Sequence, residues 1–211
     1  VGSEMCIRDR VSTCVDDIAF INSMYGSNAA HGGALLKLHT GSDNFIRPSM
    51  GSWINYGLGT ENRNLPGFVT ICPTSLHGGV YNYGSAFLPA AYHGIALGTP
   101  GYPNAPVENA QFRFTKNGRL NRDQQSLQLE LLREMNKKQL AETGPDAALE
   151  GRIHSFELAF RMQRESADVL EVAGESAATK ALYGIDQKQS SNFGLQCLLA
   201  RRFAERGVRF I

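Results

Sequence analysis

The sequence predicts an α/β protein, a sheet with flanking helices and a helical insertion. Three observations predict it. Short runs of β-branched and aromatic residues sit between turn residues in the first third of the chain. After Asn121 the apolar residues change to a helical period. The chain then closes on Val208–Ile211, a short run with Val208, Phe210 and Ile211 directly behind Gly207, a helix-ending residue.

Taken in order, the run Val1–Arg10 has no clear periodicity and resembles a translated adapter tract. It is set apart from a single domain expected over 11–211. Asp17–Met24 reads as a buried strand around Ile18, Phe20 and Ile21. Tyr25–Asn28 is a turn, and His31–His39 a short helix with Asn28 as its N-cap. The two glycines Gly32 and Gly33 weaken that helix and point to close packing against its start. A second helix over Ser49–Tyr56 follows Pro48 and ends at Gly57 and Gly59. Gly67–Cys72 is the clearest strand, held between Pro66 and Pro73. From Thr74 to Asn121 glycine, proline, asparagine and tyrosine dominate, and the segment reads as loops that carry binding groups.

The helical section covers about 122–206. Arg122–Thr143 presents Leu127, Leu131, Leu132 and Met135 on one face and stops at Gly144-Pro145. Asp146 caps the next helix, whose stripe is Leu149, Ile153, Phe156 and Phe160. Shorter helices follow over Ala177–Tyr183 and about Asn192–Arg206, the latter with Phe193, Cys197, Leu198 and Phe203 inward. Val208–Ile211 begins a strand expected to share a sheet with the two earlier ones.

Composition removes some function classes. A net charge of +1 gives no electrostatic case for nucleic acid. No apolar run approaches the length of a membrane span. Cys6, Cys14, Cys72 and Cys197 form no CxxC pair, so they read as scattered, mostly buried thiols. Their even number also permits disulfides.

Several runs together carry a resemblance. They include Cys14–Ala19, His39–Ser42, Arg47–Trp53, Tyr56–Gly59 and Leu65–Val69. The helical part adds Glu157–Gln163, Gly174–Thr179, Cys197–Arg202 and Glu205–Phe210. The chain resembles a bacterial family of sulfatase-like proteins of unknown function in the alkaline phosphatase and sulfatase superfamily. The resemblance implies a partial alkaline-phosphatase-like sheet and an internal fragment of a larger protein, exported to the periplasm or beyond. It implies a divalent metal in the full-length protein, with ligands outside this stretch and none assignable within it. The fragment alone is expected to be inactive.

In the superfamily the nucleophile opens a helix that ends in a Leu-rich, Thr-Gly run. Leu35–Gly41 looks like that run, which places His31 in the nucleophile slot. A helix N-terminus there would bind a sulfate or phosphate oxyanion. His31 supplies no alkoxide, but it can act as acid or base. It is the candidate catalytic residue; the alternative is a packed, hydrogen-bonded histidine. Candidate binding residues are Asn28, Arg47, Ser49, His77 and Asn82. Arg47 could clamp an anion, or pair with a carboxylate while Ser49 merely caps its helix. His77 and Asn82 lie in a glycine-rich loop that could line a sugar or anion pocket. His39 reads as packing, and Asp16 and Asp17 as caps at the start of a strand. Trp53 reads as a buried anchor. The Arg161, Arg164, Arg201 and Arg202 groups read as solvated faces or salt-bridge partners.

Two function classes remain open. One is a metal-dependent hydrolase of sulfate or phosphate esters, acting on an anionic small molecule or a sulfated or phosphorylated saccharide. The other is a secreted, non-catalytic binding or structural protein that keeps the fold.

Overall fold

The structure is a computed structural model that describes residues 12–98, 106–108, 110–113, 115 and 117–211. The tract Val1–Arg10 lies outside the described residues.

The centre is a small parallel sheet. β1 (Val69–Ile71) pairs with β2 (Ile95–Leu97) in the register Val69 to Ile95, Thr70 to Ala96 and Ile71 to Leu97. Phe210 bridges Phe68 in parallel, and Val69 N–H donates to Phe210 O at 2.9 Å. The expected strands at Gly67–Cys72 and Val208–Ile211 are therefore neighbours, the second as a single bridge. β2 falls inside the segment read as loops. It is three residues long between Gly94 and Gly98, too short to carry an alternating pattern. A Cβ on Gly94 would meet the Phe68 ring at 2.7 Å, so glycine is what lets the chain enter β2.

Asp17–Met24 is not a strand. Val15–Asp17 makes one 3-10 turn, and Ile18, Phe20, Ile21 and Met24 are exposed. Apolar content makes a strand only where a sheet edge is free to pair. Here β1 is flanked by Phe210 and β2, and Leu97 of β2 bridges Phe112.

Among the described residues, the α-helices that surround the sheet are α1 (His31–Thr40), α2 (Met50–Leu58), α3 (Arg122–Thr143), α4 (Ala147–Leu170), α5 (Ala177–Leu182) and α6 (Ser191–Glu205). Caps fix most of their bounds. Ser49 caps α2, and Gly59 ends it at φ 66°. Asn121 and Gln124 close a reciprocal capping box on α3. Asp146 accepts from the N–H groups of Ala148 and Leu149. α1 differs from expectation, because its N-cap is Ala30. Asn28 sits two residues earlier and accepts the Ala30 N–H at 2.9 Å.

The core joins the sheet to α4 and α6 through Leu65, Val69, Leu97, Met162, Val169, Leu199 and Phe203. Phe112 meets Phe203 edge to face at 5.7 Å. Each such buried side chain contributes about 1.5–3 kcal/mol. The buried row of α4 is thus Leu158, Met162 and Val169, and the expected Phe156 is exposed. α4 turns that second stripe toward α3, to which Arg133 ties it through Glu157 at 2.5 Å. Leu127, Leu131, Leu132 and Met135 of α3 face solvent. Phe193 and Trp53, expected inside, are also exposed, at 71% and 46%. In α6 the buried row is Gly194, Leu198, Leu199 and Phe203, which leaves Phe193 on the outer side. Trp53 instead joins a surface row of edge-to-face rings with Phe87 and Tyr56.

Arg201 and Arg202 are salt-bridge partners, as expected. Both hold Glu175, and Arg202 Nε also donates to Val169 O at 2.7 Å, clasping α6 to the end of α4. Arg161 Nη1 lies 3.6 Å from Glu157. Cys72 is buried, Cys197 half-buried and Cys14 exposed, all as free thiols. Burial pushes the Cys72 and Cys197 thiols up.

Candidate functional site

In open α/β sheets, ligands gather beyond the carboxyl ends of the strands. Beyond β1 the chain makes an unusual loop. Cys72, His77, Gly78 and Gly79 all take positive φ, at 44°, 54°, 93° and 50°. The left-handed region is costly for the two non-glycine residues, so neighbouring contacts must hold them there. Asn82 does this for His77, because its Nδ2 donates to His77 O at 2.9 Å. The backbone adds Gly79 N–H to Leu76 O at 3.1 Å and Tyr81 N–H to Gly78 O at 3.0 Å.

This loop lies on the first turn of α1. The rings of His31 and His77 face each other at 5.7 Å between centroids, tilted by 45°. A Cβ on Gly32 would stand 3.7 Å from His77 Cα, which is ordinary contact. Both histidines are exposed, so the pair is open to a ligand from solvent. Beside them the first amides of α1 have no partner within their own helix. The chemistry available is an oxyanion-binding helix start with two imidazoles as proton donors or acceptors.

Asn28 shapes this turn. While its Oδ1 accepts from Ala30, its Nδ2 donates to Asp43 Oδ2 at 3.0 Å. That hydrogen bond, with the Lys37 charge, holds the Asp43 carboxyl below its ordinary range. Gly33 is where α1 passes this pair. A Cβ there would overlap Asn28 Nδ2 and come within 3.0 Å of its Cγ. Asp43 gave no signal in the sequence, since a lone aspartate in a polar loop is common.

The remaining candidates are placed elsewhere. Ser49 is buried at the start of α2, where its hydroxyl meets Ser52 Oγ at 3.0 Å. Its N–H donates to Gly84 O at 2.9 Å, so Ser49 joins α2 to the loop that carries Asn82. Arg47 is exposed, with its guanidinium 6.0 Å from the Phe45 ring centroid. Asn82 is only 8% exposed, and its Oδ1 has no hydrogen-bond partner among the described residues. It lines a cavity of about 180 Å³ with Leu35, His39 and Thr74, between α1 and β1. His39 is half-buried in that wall, and burial lowers its pKa. So the structure joins His31 to His77, supports His77 with Asn82 and shapes the helix start with Asn28.

Among the described residues no three His, Cys, Asp or Glu side chains stand together as a metal donor set. The two imidazoles alone fall short of the three or four protein ligands such a site uses.

No curated protein and no solved structure matches the chain. A family model does, over residues 3–211, and by that match the chain belongs to DUF1501, a family of proteins of unknown function.

Proposed function

We propose that this chain carries the oxyanion-binding part of a sulfatase-like protein, with the α1 start as the seat of a sulfate or phosphate group. The observation that carries the reading is the meeting of His31 and His77 at 5.7 Å over a helix N-terminus, behind the carboxyl end of a parallel strand. A helix start favours an anion by its unpaired N–H groups and its positive dipole end. Two exposed imidazoles add charge-assisted donors when protonated and can pass a proton to a leaving oxygen. The reading includes ester hydrolysis in a longer, exported protein of alkaline-phosphatase-like fold. There a divalent metal would stabilise charge on the attacking and leaving oxygens. The described residues do not supply that metal's donor set, so they are assigned only binding and proton handling.

The test separates hydrolysis from binding. The protein is incubated with 4-nitrophenyl sulfate and 4-nitrophenyl phosphate, with and without added divalent cations, while binding of each at the α1 start is followed by the NMR shifts of the Gly32 and Gly33 amides. Binding lost in His31→Ala and His77→Ala supports the site, and metal-dependent release of 4-nitrophenol adds the hydrolase. Binding without release is the result expected of this stretch alone, and the same outcome in the longer protein favours the non-catalytic alternative. If neither ester shifts the Gly32 and Gly33 amides, or if those shifts survive both substitutions, the reading fails.

A further inference from the structure

A second cleft is lined by residues far from the His31–His77 pair in the sequence, and its chemistry is one-sided. It measures about 520 Å³ and opens between the 59–67 loop, the 91–95 segment and α4. Its lining includes Arg63, His93, His154 and Arg161 and contains no aspartate or glutamate. The rest of the wall is largely apolar, with Leu65, Pro66, Ile95 and Leu158.

The cationic groups are partly fixed in place. Arg161 Nε donates to Arg63 O at 2.8 Å, which ties α4 to the 59–67 loop across the cleft. Its only other acceptor among the described residues is Glu157, 3.6 Å from Nη1. A guanidinium carries five N–H donors, so donors remain on Arg161 for a ligand. Arg63 is exposed and has no carboxylate partner among the described residues. The backbone under it is held by Asn62, whose Oδ1 accepts from Asn64 and Leu65 N–H and whose Nδ2 donates to Arg206 O. Tyr92, which also lines the cleft, is set by its edge-to-face contact with Tyr56 at 5.1 Å. A cleft of this size with a few convergent polar groups on apolar walls is the usual form of a small-molecule site.

We propose that this cleft binds a small organic anion: an apolar body against Leu65, Ile95, Leu158 and Tyr92, with a phosphate, sulfate or carboxylate between Arg63 and Arg161. Guanidinium groups suit all three anions through paired N–H donors. The site is independent of the α1 helix start and stands or falls without it.

The test uses four probes with a nitrophenyl body: 4-nitrophenyl phosphate, 4-nitrophenyl sulfate, 4-nitrobenzoate and the neutral 4-nitrophenyl glucoside. Binding is followed by equilibrium dialysis in a His31→Ala/His77→Ala background, which removes the other anion site. At least one anionic probe is expected to bind more than tenfold tighter than the glucoside. That affinity should fall about tenfold in Arg63→Gln and further in Arg63→Gln/Arg161→Gln. Arg63→Gln removes no described side-chain contact, so it keeps the test valid if Arg161→Gln disturbs folding. The relative affinities of the three anions then name the group. The proposal is overturned if no anion binds in that background, if the glucoside binds as well as the anions, or if Arg63→Gln leaves affinity unchanged.

Discussion

Gly33→Ala is the most informative single change, because the folded structure and helix propensity pull in opposite directions. Propensity alone favours alanine by at most about 1 kcal/mol. Against that, the new methyl would overlap Asn28 Nδ2, and Asp43 Cβ closes the other side at 3.4 Å. Asn28 cannot simply swing away, since both ends of its amide are engaged, with Ala30 N–H and with Asp43. Inserting a methyl into such a site costs about 1–3 kcal/mol, and losing the Ala30 hydrogen bond costs about 1 kcal/mol more. The net is a destabilisation of about 1–3 kcal/mol. At roughly 2–4 °C per kcal/mol for a chain of this length, the melting temperature should drop by several degrees. Gly32→Ala is the matched control on the same turn, where the nearest atom is His77 Cα at 3.7 Å. It should be neutral or stabilising. Thermal and urea denaturation of both variants, repeated in an Asn28→Ala background, give the answer. The Gly33→Ala penalty should largely vanish once Asn28 is shortened. Equal stability of Gly33→Ala and Gly32→Ala in the wild-type background would refute the reasoning.

Two further outcomes follow from packing and burial. Gly51→Ala puts a methyl 2.6 Å from both Phe68 and Phe210, the edge-to-face pair that joins the chain's end to β1, and should cost about 1–3 kcal/mol in urea denaturation. Gly57→Ala, with nothing within 4 Å, should cost nothing. Burial lowers the pKa of His39 and His93, so the unfolded chain takes up those protons first as pH falls. Stability is full above about pH 6.5 and is lost below it, toward the folded-state values. His93→Gln should flatten the stability–pH curve below pH 6.5, and an unchanged slope would exclude burial of His93 as a cause.

What could be read from the sequence follows physical range. α3, α4 and α5 carry their own boundaries in caps and stops, at Asn121, Gly144, Asp146, Ser176 and Gly184. These are local hydrogen bonds, so local sequence announces them. β1 was legible for a similar reason, since prolines bracket it. β2 and the wrongly expected strand at Asp17–Met24 show the limit, because a strand exists only by virtue of its partner. The same limit applies to faces. A helical stripe shows that a helix is amphipathic, but not which stripe meets the core when there are two, as on α4. For the site, His31 and His77 were each singled out, but their contact depends on the positive-φ loop after β1. Neither that loop nor the Asn28–Asp43 pair has a local signature. The cleft has no local signature either, since Arg63, His93 and the α4 pair His154 and Arg161 come from three separate segments.

The central claim is that the α1 start, with His31 and His77, seats an oxyanion. The most direct measurement is a sulfate titration of isotope-labelled protein followed by NMR, at the backbone amides of Gly32 and Gly33 and the ring resonances of both histidines. Saturable, concerted shifts are expected at these four residues, at constant pH and ionic strength, with their loss in His77→Ala. Shifts spread over the surface without saturation, or unchanged in His77→Ala, would contradict it.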